Sequence, residues 1–80
     1  MKYNDSEIEK AKLVAAQNAR LNPKADEGFW HNGIYIVSPF LDATGQKQLG
    51  LNEAIACYGE DNISRFISLA IKKPLARLAY

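Results

Sequence analysis

One histidine, one cysteine and nine acids are the groups through which this 80-residue chain could do chemistry. His31 stands alone, so no multi-histidine metal site can form, and no cysteine cluster replaces one. A general base needs a second group to orient it. Nothing adjacent to His31 in sequence does so, and only folding could bring Asp26 or Asp42 to it. Its place beside an Asn-Gly turn reads as a surface or interface position. Cys57 lies in an apolar stretch with no basic neighbour, which reads as an inert thiol rather than a nucleophile. Asp26, Glu27, Asp42, Glu53, Glu60 and Asp61 fall at turns and helix starts, where capping and the helix dipole explain acids. Gly45 and Gly50 lack the glycine pattern and the Lys-Ser/Thr pair of a phosphate loop. The expectation is a domain that is no enzyme and takes no metal or cofactor.

The elements that must position these residues can be traced along the chain. Asn4 caps a first helix, with Glu7 three residues on completing a capping box and Tyr3 and Ile8 placed as a hydrophobic staple. Ile8, Ala11, Ala15 and Ala19, flanked by Val14, form a stripe of small residues that permits close helix packing, while Leu13 lies off it. Asn22-Pro23 ends the helix. Phe29 to Val37 reads as two strands around Asn32-Gly33, the pair favoured in a type I′ turn because both positions need φ > 0. That turn sets His31 opposite Ile34, Trp30 opposite Tyr35 and Phe29 opposite Ile36. Phe29, His31, Ile34, Ile36 and Phe40 share one face; Trp30, Tyr35 and Val37 share the other.

A second turn over Asp42-Ala43-Thr44-Gly45 leads to a third strand over Gln46 to Gly50, with Lys47 marking it as an edge. Asn52 is read as the cap of a short helix that runs through Tyr58 and stops at Gly59. Asp61 is read as the cap of a last helix with an Ile63, Phe66, Ile67, Ala70, Ile71 stripe, whose negative end Lys72 and Lys73 complement before Pro74. The fold class is therefore α+β in the order α-β-β-β-α-α, a single domain over residues 1–80.

A chain this short buries only about 60% of its unfolded surface, so its core is thin. One cysteine precludes an internal disulfide, the opening residues Met1–Glu7 lack a secretory apolar region, and no apolar run could span a membrane. These features favour a cytoplasmic protein with no membrane association. The net charge of +1 argues against a strongly basic nucleic-acid binder. Up to Asp61 there are six basic and nine acidic residues, whereas Arg65, Lys72, Lys73 and Arg77 follow with no acid.

Two surfaces can serve binding. If helices cover the Phe29 face, Trp30 and Tyr35 remain outside, and such rings dominate interface hot spots. Trp30, His31, Tyr35, Val37 and Lys47 are the expected contact region for another protein or protein complex. The expected role is an inhibitor or adaptor of a larger intracellular machine, acting by steric occlusion. Small phage or mobile-element anti-defence proteins offer an analogy of size and texture. The alternative is nucleic-acid binding through Arg65, Lys72, Lys73 and Arg77. The pair Leu51–Tyr58 and Asn62–Lys73 has the outline of a helix-turn-helix, but Glu60 and Asp61 would repel phosphates in its turn. The thin core and the edge near Lys47 also leave room for a homodimer.

Overall fold

A computed structural model describes residues 3–42, 44 and 46–74. Ala43 and Gly45 of the second turn, and the tail 75–80 with Arg77, lie outside the described residues. The element order is α1 (Asp5–Leu21), β1 (Phe29–His31), β2 (Ile34–Ile36), α2 (Leu51–Tyr58) and α3 (Glu60–Ala70), an α+β arrangement.

The first helix starts as its sequence dictates. Asn4 Oδ1 accepts from the Glu7 amide at 2.8 Å, and Glu7 Oε1 accepts from the Asn4 amide at 3.1 Å. Tyr3 packs against the core and donates from its hydroxyl to the Ser64 carbonyl at 3.2 Å, with the Ser68 hydroxyl also in contact. It thus ties the start of the chain to α3. Ala11, Val14 and Ala15 are buried and Leu13 is exposed, but Ala19 is exposed too. The next position of the buried stripe belongs to Asn18, which a count of apolar residues passes over. Asn18 Nδ2 donates to the Val37 carbonyl at 3.1 Å, and Ser38 Oγ donates to the Ala15 carbonyl at 2.6 Å. These bonds satisfy polar groups that burial would otherwise penalise, and they fasten the chain beyond β2 to α1.

The hairpin has the expected register: Phe29 faces Ile36, Trp30 faces Tyr35 and His31 faces Ile34. Asn32 (φ 51°) and Gly33 (φ 78°) both occupy the left-handed region that a type I′ turn requires. The third strand is not formed. β1 and β2 make a two-stranded sheet, and the segment 46–49 contributes only one bridge, Leu41 to Gln48. Flanking it, the Asp42 amide donates to the Lys47 carbonyl and the Leu49 amide to the Phe40 carbonyl. The chain turns at Ser38-Pro39, where the Leu41 amide closes on the Ser38 carbonyl, so 46–49 meets 40–42 rather than β2. Gln46, Lys47 and Gln48 are weak strand formers with no apolar side chain to bury. Lys47 is accordingly part of an exposed loop and not of a sheet edge.

Both later caps also differ from expectation. Gly50 caps α2, its amide held by Glu53 Oε1 at 3.1 Å, so Asn52 lies inside the first turn. Gly59 ends α2 and begins α3 at once; its φ of 92° reverses the chain without a linker, and Asp61 falls within α3. The helix end at Ile71 is completed by Lys10, whose Nζ donates to the Ile71 carbonyl at 2.8 Å.

The core joins Ala11, Val14 and Ala15 of α1 to Ile63, Phe66, Ile67 and Ala70 of α3, with Phe29, Phe40 and Ala54 filling the remainder. Phe40 meets Phe66 edge to face at 6.1 Å. Gly28 precedes β1 because nothing larger fits there. A Cβ at this position would lie 2.7 Å from both the Tyr35 ring and the Ile36 carbonyl oxygen. Gly28→Ala should therefore destabilise the fold by about 1–3 kcal/mol, the usual range for forced overpacking, read as a lower denaturant midpoint; an unchanged midpoint would contradict this packing.

Candidate functional site

The hairpin projects apolar groups from both of its faces. On the side away from the helices, Trp30 is 71% exposed. Tyr35 is half-buried beneath it, with ring centroids 5.3 Å apart at 59°. The Tyr35 ring lies over Gly28, and its hydroxyl donates to the Ala25 carbonyl at 3.1 Å. Three constraints thus hold Tyr35: strand pairing, the Gly28 backbone and the hydrogen bond. The indole rests on a fixed support.

On the helix side, Phe29 is buried, and His31 meets the Tyr58 ring edge-on at 5.2 Å. Tyr58 also meets Phe29 at 5.7 Å, and burial, with smaller contributions from Cys57 and Asp42, pushes its phenol above the ordinary range. Ile34, nearest the turn, is 64% exposed. An open groove of about 430 Å³ runs between this end of the hairpin and the chain that follows, lined in part by His31, Ile34, Ile36, Leu41, Asp42 and Tyr58. Its apolar lining suits a side chain better than a charged ligand.

His31 and Asp42 share that groove, but no hydrogen bond joins His31 to Asp42 or to Asp26. The Asp42 carboxylate is committed to its own loop. Oδ1 accepts from the Thr44 hydroxyl at 2.6 Å and from the amides of Thr44, Gln46 and Lys47 at 3.0–3.3 Å. Those bonds, the Thr44 hydroxyl foremost, hold its pKa below 3.8. Among the described residues no three His, Cys, Asp or Glu side chains gather as a metal site, and no helix is long and apolar enough to cross a membrane. Cys57 is exposed.

The sequence-derived contact residues are only partly brought together. Trp30 and Tyr35 form one ledge. Val37 is half-buried, its carbonyl taken by Asn18, and it lines the same groove as His31, as Tyr35 does in part. His31 lies on the opposite face, in the groove, and Lys47 sits in the Asp42 loop. Of the C-terminal cations, Arg65 and Lys72 are exposed. Lys73 is not free: its Nζ lies 2.7 Å from Oε1 of Glu27, whose side chain is 2% exposed.

The sequence reading does not predict that ion pair, since Glu27 is there one of the acids at turns and helix starts. The two are in direct contact, and no other described residue bonds either carboxylate oxygen. Contact with Glu27 raises the Lys73 pKa, opposed by desolvation and aided by the charges of Glu27 and Asp26. A sequence signal did exist: Glu27 lies directly before Gly28 and the apolar Phe29, where a connection must dive under the hairpin.

In comparisons with protein-family models, curated proteins and solved structures, the chain matches none.

Two outcomes follow from these electrostatics. Lys73→Met leaves the Glu27 carboxylate buried without its counter-charge, a costlier state than removing both charges. The melting temperature should fall for Lys73→Met and recover in part for Glu27→Gln/Lys73→Met; equal melting temperatures would refute the pairing. Because the Lys73 pKa is raised, its stabilising contribution is complete below the unfolded value near 10.5 and fades as pH rises through the higher folded value. For Asp42 the sign reverses. Its lowered pKa means that loop closure is complete above about 3.8 and fades as pH falls through the folded value. Titrating the Thr44 and Lys47 amide resonances should reveal a common acid midpoint below 3.8; a midpoint above it would contradict the loop.

Proposed function

We propose that the protein is a non-catalytic protein-binding module whose contact centre is the Trp30–Tyr35 ledge. One observation carries this reading: the single tryptophan is 71% exposed while the ring beneath it is immobilised. A large apolar side chain left in water on a rigid base has the chemistry of an interface anchor. Ile34 at the same hairpin end, and the groove beyond it, extend the apolar surface. The partner is another protein or protein complex, and the protein acts as an inhibitor or adaptor by covering a functional surface of that partner. Such coverage needs about 800 Å² on each side, so contacts must extend beyond the indole.

The test combines capture with stability. Trp30 contributes little to the core, so Trp30→Ala should change folding stability by no more than about 0.5 kcal/mol. Loss of a central anchor costs about 2 kcal/mol or more, so the affinity for a partner captured by the wild-type protein should fall about 30-fold or further. Retained capture by a folded Trp30→Ala protein would remove the ledge from the interface, and absence of any stoichiometric partner would remove the function.

A further inference from the structure

We propose that Asn32-Gly33 is a site of spontaneous covalent modification, at which deamidation to isoaspartate unlocks the hairpin and dismantles the Trp30–Tyr35 ledge. The reaction needs only water. The Gly33 amide nitrogen gives up its proton to solvent and attacks the side-chain carbonyl carbon of Asn32. The new N–C bond closes a cyclic succinimide, the bond from Cγ to Nδ2 breaks, and ammonia leaves. One water then opens the ring at either carbonyl, giving aspartate or isoaspartate. The chain has six asparagines, and its structure singles out this one. Asn4, Asn18 and Asn62 commit their side chains to the Glu7 amide, the Val37 carbonyl and the Tyr58 carbonyl. Asn22 precedes Pro23, which has no N–H. Asn52 is held within α2 with Glu53 after it. Asn32 and Gly33 are both exposed, and no described residue bonds the Asn32 side chain or the Gly33 amide. Nothing lies within 4 Å of where a Gly33 Cβ would be, so the tip of the turn is open to water.

Ring closure requires the ψ angle of Asn32 to leave its turn value, so opening of the turn sets the pace. The tip of a short ribbon opens locally at little cost, and glycine adds its own conformational freedom. The two products then differ in what they do to the fold. Aspartate leaves the main chain intact, and Asp-Gly suits a type I′ turn as Asn-Gly does. Isoaspartate routes the main chain through Cβ, one atom longer, so the pair of positive φ angles that closes the turn is lost. The register then has no local determinant. Trp30 loses its place opposite Tyr35, and Phe29 its place against Tyr58. The ledge therefore has a finite chemical lifetime, independent of the partner it serves.

The experiment ages the full chain in warm, mildly alkaline buffer, which favours loss of the Gly33 amide proton. Digestion, with fragmentation that separates isoaspartate from aspartate, should find conversion at Asn32 before any other asparagine. Heavy-isotope water should leave its oxygen at that residue. NMR contacts between the Trp30 and Tyr35 rings should be lost in the isoaspartate fraction and retained in the aspartate fraction. Two variants separate chemistry from turn geometry. Asn32→Asp supplies the second product directly and should keep the ring contacts when fresh. Asn32→Gly keeps a turn that accepts positive φ but has no side-chain amide to lose, so its ring contacts should survive ageing. Conversion at Asn32 no faster than at the other asparagines would overturn the site. An isoaspartate fraction that keeps the Trp30–Tyr35 contacts would overturn its consequence, as would loss of those contacts in aged Asn32→Gly at the wild-type rate. None of these readouts involves a partner, so each outcome is separate from the fate of the protein-binding reading.

Discussion

Two adjacent positive φ angles, at Asn32 and Gly33, determine what this molecule shows to its surroundings. They pin the register of β1 on β2, and a shift of one residue would exchange the faces of the ribbon. Phe29 would then leave the core and Trp30 would enter it. With the observed register, Phe29 supports the helices, Tyr35 lies across Gly28, and the indole is held above it. The interior and the exposed ledge are thus alternate consequences of one turn.

A two-stranded ribbon is marginal by itself, so its position depends on the helices. Asn18 and Ser38 connect α1 to the chain beyond β2, and Tyr58 of α2 meets both Phe29 and His31. The Glu27–Lys73 pair joins the root of β1 to the residues after α3. Such a pair contributes less through attraction than through the penalty for separating it, since each alternative placement strands a charge. It fixes where the hairpin emerges.

Short-range stereochemistry was the legible part of the sequence. The Asn4–Glu7 box, the Asn32-Gly33 hairpin, the stop at Gly59 and the core stripe of α3 all depend on residues a few positions apart, and each forms as the sequence reading expects. The structure departs from the sequence reading where the outcome depends on distant groups. A third strand over Gln46–Gly50 required β2 to continue, but the chain turns at Ser38-Pro39. Asn52 and Asp61 are good capping residues displaced by glycines that let the helices begin earlier. Within the site, the exposure of Trp30 followed from the register once helices covered the other face. The separation of His31 and Lys47 from the ledge did not, and neither did the burial of Glu27 against Lys73, because no local pattern encodes a contact between residues so far apart.

Tyr3 and Lys10 bond to Ser64 and Ile71, so each contact joins residues 61 positions apart, and the core is built largely from α1 against α3. A ribosome releases the chain from its N-terminus, and α1 emerges with only alanine-rich surface to bury and no docking site for it. An isolated helix of this length is marginal in water. The domain cannot close until α3 has left the ribosome, and the exposed α1 stripe is a target for chaperones until then.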